Sequence, residues 1–255
     1  MTTAKTKKSV RELSLDGSAL QSLSADEQAF LVVVCHATSE INTFGRLAYF
    51  SVGGQSSDKI LRAAQMHQNL SIIRCFSAKL FELTAIFQKR KFGNKSDNIV
   101  KIYDFAERKF EEYGLQENYN SARNIRDFVT NHYDPARAKK NLAHLSDGMD
   151  FGIYLTEPDA NSFAMIGEEI SFTGQFNREF SARELPEGDS GFARWWRWNQ
   201  DAWRWTRKVH AKTVEVLLLD RVPNLMWRDV EVSVPSELIS EPDFKLPIFV
   251  GEVSR

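Results

Sequence analysis

The chain has 255 residues, of which 42% are hydrophobic and 26% are charged, and its formal net charge is −1. This length and apolar content are sufficient for one large domain, or for a domain with an appendage, around a buried core. A nearly neutral chain has no global positive field, so the composition excludes general attraction to nucleic acid but not a local basic patch.

The cysteines and the apolar runs indicate where the protein works. Cys35 and Cys75 both lie in apolar helical patterns, which favours buried free thiols and a reducing, cytoplasmic location. The polar start of the chain has no apolar region behind it, so no secretory signal is expected. The longest apolar runs are too short to span a bilayer, so no membrane association is expected. The chain has no glycine-rich phosphate loop and no cysteine–histidine metal spacing, so neither a cofactor nor a metal is expected.

The first two-thirds of the chain carries helical patterns. Residues 1–23 are predicted to form a flexible tail. Ser24 and Glu27 have the spacing of a capping box that opens a helix, and a second long helix is predicted from Ser57 to about Phe92, with Ile60 among its inward residues. Later helices are predicted over residues 97–113, over 118–133, from Pro135 with Leu142 and Leu145 inward, and over 159–175. Residues 151–155 fit either a helix end or a short extended piece.

Short loops between long amphipathic helices predict an antiparallel bundle over residues 24–180. Residues 181–191 have the composition of a linker. A helix rich in tryptophan and arginine follows to about Leu219, and an alternating Val230–Val234 segment predicts short strands or an extended tail. We therefore predict an all-α fold, with residues 190–255 packed on the bundle as a tryptophan-rich helix and an extended or β tail.

The segment around residues 124–135 is the main candidate for function. Ala122, Ile125 and Val129 form one apolar stripe, and Asp134 before Pro135 closes that helix and can cap the next one. Arg126 and His132 thus lie near a helix end, about 120° apart around a regular helix axis. They can converge where the helix unwinds, or across a symmetric dimer.

An imidazole and a guanidinium suffice for metal-independent RNA cleavage. The imidazole titrates near neutral pH and can assist attack of a ribose 2′-hydroxyl on the adjacent phosphate. The guanidinium can stabilise the charge that builds on the phosphorane. Arg126 and His132 are therefore the predicted catalytic residues.

Residues 126–132 read Arg-Asp-Phe-Val-Thr-Asn-His. This string resembles the signature of the HEPN superfamily, which is an arginine, a polar residue next to it, and a histidine separated from the arginine by four to six intervening residues. The helix order and the following Tyr-Asp-Pro are similar to its abortive-infection branch. The resemblance covers roughly residues 25–175. It implies a metal-independent endoribonuclease, acting as a homodimer on an RNA substrate in toxin–antitoxin or antiviral defence, with an antitoxin as a possible partner. It also implies that Asp127 orients Arg126 and His132, with Asn131 and Tyr133 as accessory positions.

Other interpretations compete with this one. The same spacing also occurs in Arg62–His67, Arg137–His144 and Arg204–His210, so context alone selects Arg126–His132. His132 projects close to the apolar stripe and can instead be a core histidine. The alternative functions are a catalytically inert helical dimer that binds RNA or a protein, and a structural dimer whose tryptophan-rich helix is the interface.

Further residues have secondary roles in this hypothesis. Polar groups on the first two long helices, of which Arg74 and Glu82 are the first choices, can orient Arg126 or His132. In the tryptophan-rich helix a stripe of Trp195, Trp198, Ala202, Trp205 and Val209 favours packing in the core. Arg194, Arg197 and Arg204 are then candidates for an RNA-facing rim. Trp196 and Trp203 lie off this stripe and can mark a partner surface.

Overall fold

The computed structural model describes residues 5–52, 56–127, 134–145, 148–156, 161–180, 190–236, 239 and 245–249. Over these ranges the fold is mostly α-helical, which confirms the predicted class. Four long helices, namely α2 (Ala25–Ser51), α3 (Lys59–Gln88), α4 (Asp97–Glu112) and α9 (Gly191–Val214), pack around one hydrophobic core. Within the described ranges, no helix combines the length and the apolarity needed to cross a bilayer.

The starts of α2 and α3 are set by side-chain caps. Ser24 and Glu27 form the predicted capping box, in which the Ser24 hydroxyl accepts from the Glu27 amide and the Glu27 carboxylate accepts from the Ser24 amide. Asp58, and not Ser57, caps α3. Ile60 is 48% exposed, contrary to prediction, because it lies in the first turn of α3, before the buried residues of that helix begin.

The helix α9 packs its tryptophan stripe into the core. Trp195, Trp198 and Trp205 are buried, and their indole N–H groups donate to Ser77 Oγ at 2.9 Å, to the Leu115 carbonyl at 3.1 Å and to the Ala106 carbonyl at 2.8 Å. Each N–H lost to water thus gains a protein acceptor, so the rings bury without an unsatisfied donor. These bonds join α9 to α3 and to the α4 region.

Shorter helices flank this core: α5 (Tyr119–Ile125), α6 (Pro135–Asn141), α7 (Met165–Glu168) and α8 (Gly174–Phe180). A two-residue hairpin, β2 (Ile153–Tyr154) with β3 (Phe163–Ala164), precedes α7. The predicted helix over 159–175 is confirmed from Met165 onward, where α7 continues through a wide π-helical segment (Glu169–Thr173) into α8. It is corrected before Met165, where the described residues hold β3.

Two inward residues predicted for the helix after Pro135 are also corrected. Leu142 and Leu145 are 49% and 39% exposed. The α-helix ends at Asn141 and continues as a 3₁₀ turn over Leu142–His144. A 3₁₀ turn has three residues per turn instead of 3.6, which rotates Leu142 off the apolar stripe. Leu145 follows the turn in extended backbone and is no longer part of the helix.

Cys75 is exposed and Cys35 is half-buried, so the prediction of two buried thiols was wrong for Cys75. One helical step of about 100° separates Cys75 from the buried Phe76 and turns its thiol away from the core. Burial raises the pKa of the Cys35 thiol, which lies 3.6 Å from His210 Nε2.

The two ends of the chain form a β-ribbon, so the prediction of a flexible tail over residues 1–23 is corrected for residues 5–23. The strand β1 (Lys5–Glu12) pairs antiparallel with β4 (Arg228–Pro235), in a register that places Lys5 opposite Pro235 and Glu12 opposite Arg228. A short helix α1 (Gly17–Gln21) follows β1, and Leu23 is buried in the core. The predicted C-terminal strand is present, but its partner is the N-terminal segment, which the sequence pattern did not indicate.

Candidate functional site

The end of α5 presents Arg126 at the protein surface. Ala122 and Ile125 are fully buried and anchor α5 against the core. The α-helix ends at Ile125, and Arg126 and Asp127 lie in a wider π-type turn. Because the anchor ends one residue before Arg126, that side chain lies at the border between core and solvent, with 29% of it exposed.

The Arg126 guanidinium is held by two carboxylates. It forms ion pairs with Glu82 on α3 and with Asp127, whose Oδ1 lies 2.5 Å from Nη1. It also lies over the Phe81 ring, 5.8 Å from the ring centroid. Contacts on three sides fix the plane and the direction of the guanidinium, as a preorganised anion-stabilising group requires.

The charges around Arg126 balance locally. Asp127 also pairs with Arg123, at 3.4 Å, so two guanidiniums face the carboxylates of Asp127 and Glu82. The Arg126 Nε is buried and has no acceptor among the described residues. The Glu82 side chain is 42% exposed, which leaves this cluster open to solvent on the α3 side.

Not every predicted site residue can be placed. Asn131, His132 and Tyr133 lie outside the described residues, so their roles stay predictions. The chain is described again from Asp134, whose carboxylate caps α6 by accepting from the amides of Ala136 and Arg137 at 2.9 and 3.2 Å. This is the helix start that the Asp-Pro pair predicts.

Arg74 lies in a different cluster. It forms a bidentate pair with Glu168 on α7 and lies over the Phe172 ring at 5.7 Å. His67, two turns earlier on α3, places Nδ1 3.3 Å from the same carboxylate. Arg74 therefore orients Glu168, while Glu82 is the α3 residue that contacts Arg126.

No sequence pattern indicates the buried Glu168 carboxylate. Its side chain is 7% exposed. Burial alone would raise the pKa of Glu168, but its close contacts with His67 and Arg74 outweigh burial and hold that pKa below its usual range. Glu168 gives no sequence signal, because its bidentate partner Arg74 lies 94 residues earlier in the chain.

The His67 ring begins an aromatic stack that continues into the β2–β3 hairpin. This ring stacks on that of Phe163, with the ring centroids 5.9 Å apart, and the Phe163 ring stacks on that of Tyr154, with the centroids 4.8 Å apart. The Tyr154 hydroxyl donates to Asp150, which also pairs with Lys59 at 3.6 Å. The stack fixes the small hairpin on α3, and the buried Glu168 links it to the bundle.

The candidate RNA-binding arginines of α9 are separately placed. Arg194 is largely buried, with 18% of its side chain exposed, and lies 3.4 Å from Glu117. Arg204 is 58% exposed and pairs with Asp201 at 2.8 Å. Arg197 occupies an exposed position on the same helix. A rim on α9 is therefore confined to its exposed face, and Arg194 contributes to it least.

No group of three or more histidine, cysteine, aspartate or glutamate side chains in the described part of the chain has an arrangement that could hold a metal ion. Comparison with known proteins adds no identification: no family model, no curated protein and no solved structure matches this chain. Interpretation of the site therefore rests on its own geometry.

Proposed function

We propose that the protein is a metal-independent endoribonuclease whose reaction centre is formed by Arg126 and His132. The observation that carries the proposal is the fixed, partly exposed Arg126 guanidinium, clamped by Glu82 and Asp127 at the end of α5. In the sequence, His132 comes six residues after Arg126 and two before Asp134. A base and a cation near one helix end are the minimal set for this chemistry.

The reaction is an internal transesterification. The ribose 2′-oxygen attacks the adjacent phosphorus while its proton passes to a base. The bond from phosphorus to the 5′-oxygen then breaks, and the leaving oxygen takes up a proton. His132 moves these protons, and Arg126 stabilises the phosphorane. The products are a 2′,3′-cyclic phosphate and a 5′-hydroxyl end.

The charges of the cluster balance, so the cluster can take part in catalysis while other residues supply the affinity for RNA. Because Glu82 and Asp127 neutralise the nearby guanidiniums, this cluster adds little net attraction for a phosphate chain. Attraction then comes from neighbouring cations, of which Arg123, Lys139 and Lys140 are exposed on α5 and α6. The homodimer is inferred from the HEPN resemblance, which implies an enzyme that acts as a dimer. A toxin or phage-defence role with an antitoxin partner is part of the same proposal and rests on the HEPN resemblance alone.

The test is cleavage of a labelled RNA in the presence of a chelator. Wild-type protein is expected to cleave it, to leave a 2′,3′-cyclic phosphate and to spare an all-2′-deoxy substrate. Arg126→Ala and His132→Ala are each expected to lower the rate by about a hundredfold or more. His144→Ala is the matched control, because Arg137–His144 has the same kind of spacing, and it should keep full activity. Cleavage that requires magnesium, or that survives His132→Ala, contradicts the proposal.

One observation favours the alternative of an inert RNA-binding or protein-binding dimer: both carboxylates already occupy the Arg126 guanidinium. If RNA binds in a salt-dependent way and no product forms, the inert binder is the correct function.

A further inference from the structure

A cavity lies between α2, α3, α9 and the C-terminal segment at Lys245, and Arg126 is not among the residues that line it. Its volume is about 310 Å³, which is within the range of sites that hold small molecules. Gly45 and Ala48 on α2 form its floor, and Phe76, Trp196 and Trp203 form its walls. The cavity is therefore apolar inside.

The Trp203 wall is fixed in place. Its indole N–H donates to Asn42 Oδ1 at 3.0 Å, and its ring meets Phe76 edge-on with the centroids 5.4 Å apart. A Cβ at position 45 would lie 2.8 Å from Trp203 Cζ2, so glycine lets the indole lie flat on α2. A wall held on three sides gives a preformed cavity, which costs a ligand little reorganisation.

Among the described residues that line the cavity, the polar side chains lie at its rim. Lys245 Nζ donates to the Val52 carbonyl at 2.6 Å, which uses one of the three N–H donors of the ammonium group. The neighbouring backbone is anchored, since the Leu246 amide donates to the Phe50 carbonyl at 3.2 Å and Gln68 donates to the Pro247 carbonyl at 2.7 Å. Gln200 adds an amide at the rim, and no acidic residue is among the described residues that line the cavity.

We propose that this cavity binds an apolar carboxylic acid, with its hydrocarbon or aromatic body between Trp196 and Trp203 and its carboxylate at Lys245. One ammonium group balances one negative charge, and the amide of Gln200 can donate to the second oxygen. The apolar walls disfavour a ligand of higher charge, because part of that charge would be buried without a partner. An arginine fork, which a phosphate would favour, is not among the lining residues that the structure describes.

The test is calorimetric titration with 1-naphthoate, and with neutral 1-naphthamide as its matched probe. Wild-type protein is expected to bind both, and the carboxylate more tightly. Lys245→Met should weaken 1-naphthoate binding by about three- to tenfold, the range for a charged hydrogen bond at a partly exposed site, and leave 1-naphthamide unchanged. Lys101→Met, at an exposed position of α4, is the control and should change neither.

A second variant tests the cavity itself. Ala48→Leu places three extra carbon atoms on the floor and should abolish binding of both probes. Circular dichroism tests whether Ala48→Leu is folded. If it is not, Lys245→Met still tests the proposal independently. The proposal is overturned if 1-naphthoate shows no saturable binding at millimolar concentration, or if Lys245→Met binds it as wild type does. Tyr49 is an exposed residue of α2 that also lines the cavity. The proposal is also overturned if naphthoate does not bind and the protein is a dimer that Tyr49→Arg dissociates, because the cavity is then an interface between two copies.

Discussion

Arg221 Nη1 donates to both carboxylate oxygens of Glu27, at 2.7 and 2.8 Å, and so joins the turn after α9 to the first turn of α2. The same carboxylate accepts from Ser96 Oγ and Asn98 Nδ2 at the start of α4, at 2.7 and 2.9 Å. Glu27 is 3% exposed. One carboxylate therefore caps its own helix and links the starts of two helices to the end of a third.

Acid should destabilise the protein through Glu27. Burial would raise the pKa of Glu27, but the hydrogen bonds from Asn98, Ser96, Ser24 and Arg221 lower it from 4.5 to about 2. A lowered pKa means that the carboxylate stabilises the fold above pH 4.5, and that this contribution is lost as the pH falls towards 2. It amounts to at most about 3 kcal/mol. The free energy of unfolding of wild type and of Glu27→Gln, from urea titrations, should differ clearly at pH 7 and converge near pH 2.

The exposed Glu231 is the control for that experiment, because its side chain is 61% exposed in its pair with Lys7. Glu231→Gln should follow the wild-type pH dependence. A gap between wild type and Glu27→Gln that stays constant from pH 7 to pH 2 would show that the carboxylate charge of Glu27 does not matter.

Gly45→Ala should destabilise the protein by about 1–3 kcal/mol, because the new Cβ would lie 2.8 Å from a fixed indole ring. Gly167→Ala is the matched control: it is also helical, its Cβ would meet no atom within 4 Å, and alanine should stabilise that helix by about 0.5–1 kcal/mol. Thermal unfolding of both variants measures the difference. Trp203→Phe combined with Gly45→Ala should show less than the sum of the two separate losses, since the smaller ring relieves the overlap. Strict additivity would disprove this cause.

Arg74→Met should destabilise the protein by about 3 kcal/mol or more, because it leaves the buried Glu168 carboxylate without its main partner. Arg204→Met breaks the exposed pair with Asp201 and should cost less than about 1 kcal/mol. Urea titration at pH 7 compares the two. Equal losses would mean that burial does not determine the strength of the Arg74–Glu168 pair.

If the proposed RNA cleavage is correct, Glu82→Gln should lower kcat by about tenfold and change KM little, because Glu82 pairs with the Arg126 guanidinium and a carboxylate is not a group that binds phosphate. Glu40→Gln is the control, since Glu40 pairs with Lys79 on the neighbouring part of α3. Unfolding temperatures of both variants should match, which separates positioning from folding. A change confined to KM would assign Glu82 to substrate binding instead.

Local features were predictable from the sequence. The Ser24 capping box, the cap at Asp134 and the tryptophan stripe of α9 depend on spacings of three or four residues, which helix geometry fixes whatever surrounds them. The mostly α-helical class follows from those same patterns. The change from α-helical to π-helical geometry at Arg126 was not predictable, because nothing in the spacing of the apolar stripe marks it.

Contacts between distant segments were not predictable. Glu168 meets Arg74 across 94 residues, and β1 meets β4 across almost the whole chain. Neither pairing has a local signature, since a lone glutamate and a lysine-rich start are both typical of a solvated surface. At the candidate site, contact between Glu82 and Arg126 was only one of several orientations open to the polar residues of α3. The role of His132 stays a prediction.

The β1–β4 ribbon affects how the chain folds and where it unfolds locally. Its side chains at Val10, Val230 and Val232 are 38–48% exposed, so little apolar burial accompanies its backbone bonds, and a lone two-stranded ribbon is only marginally stable. Pairing two strands so far apart along the chain also has a large cost in loop-closure entropy, which falls once the helices have brought the strands near each other. The ribbon should therefore form last during folding. It should also exchange its amide hydrogens faster than the core of α2, α3, α4 and α9, because it opens as a separate unit of low stability.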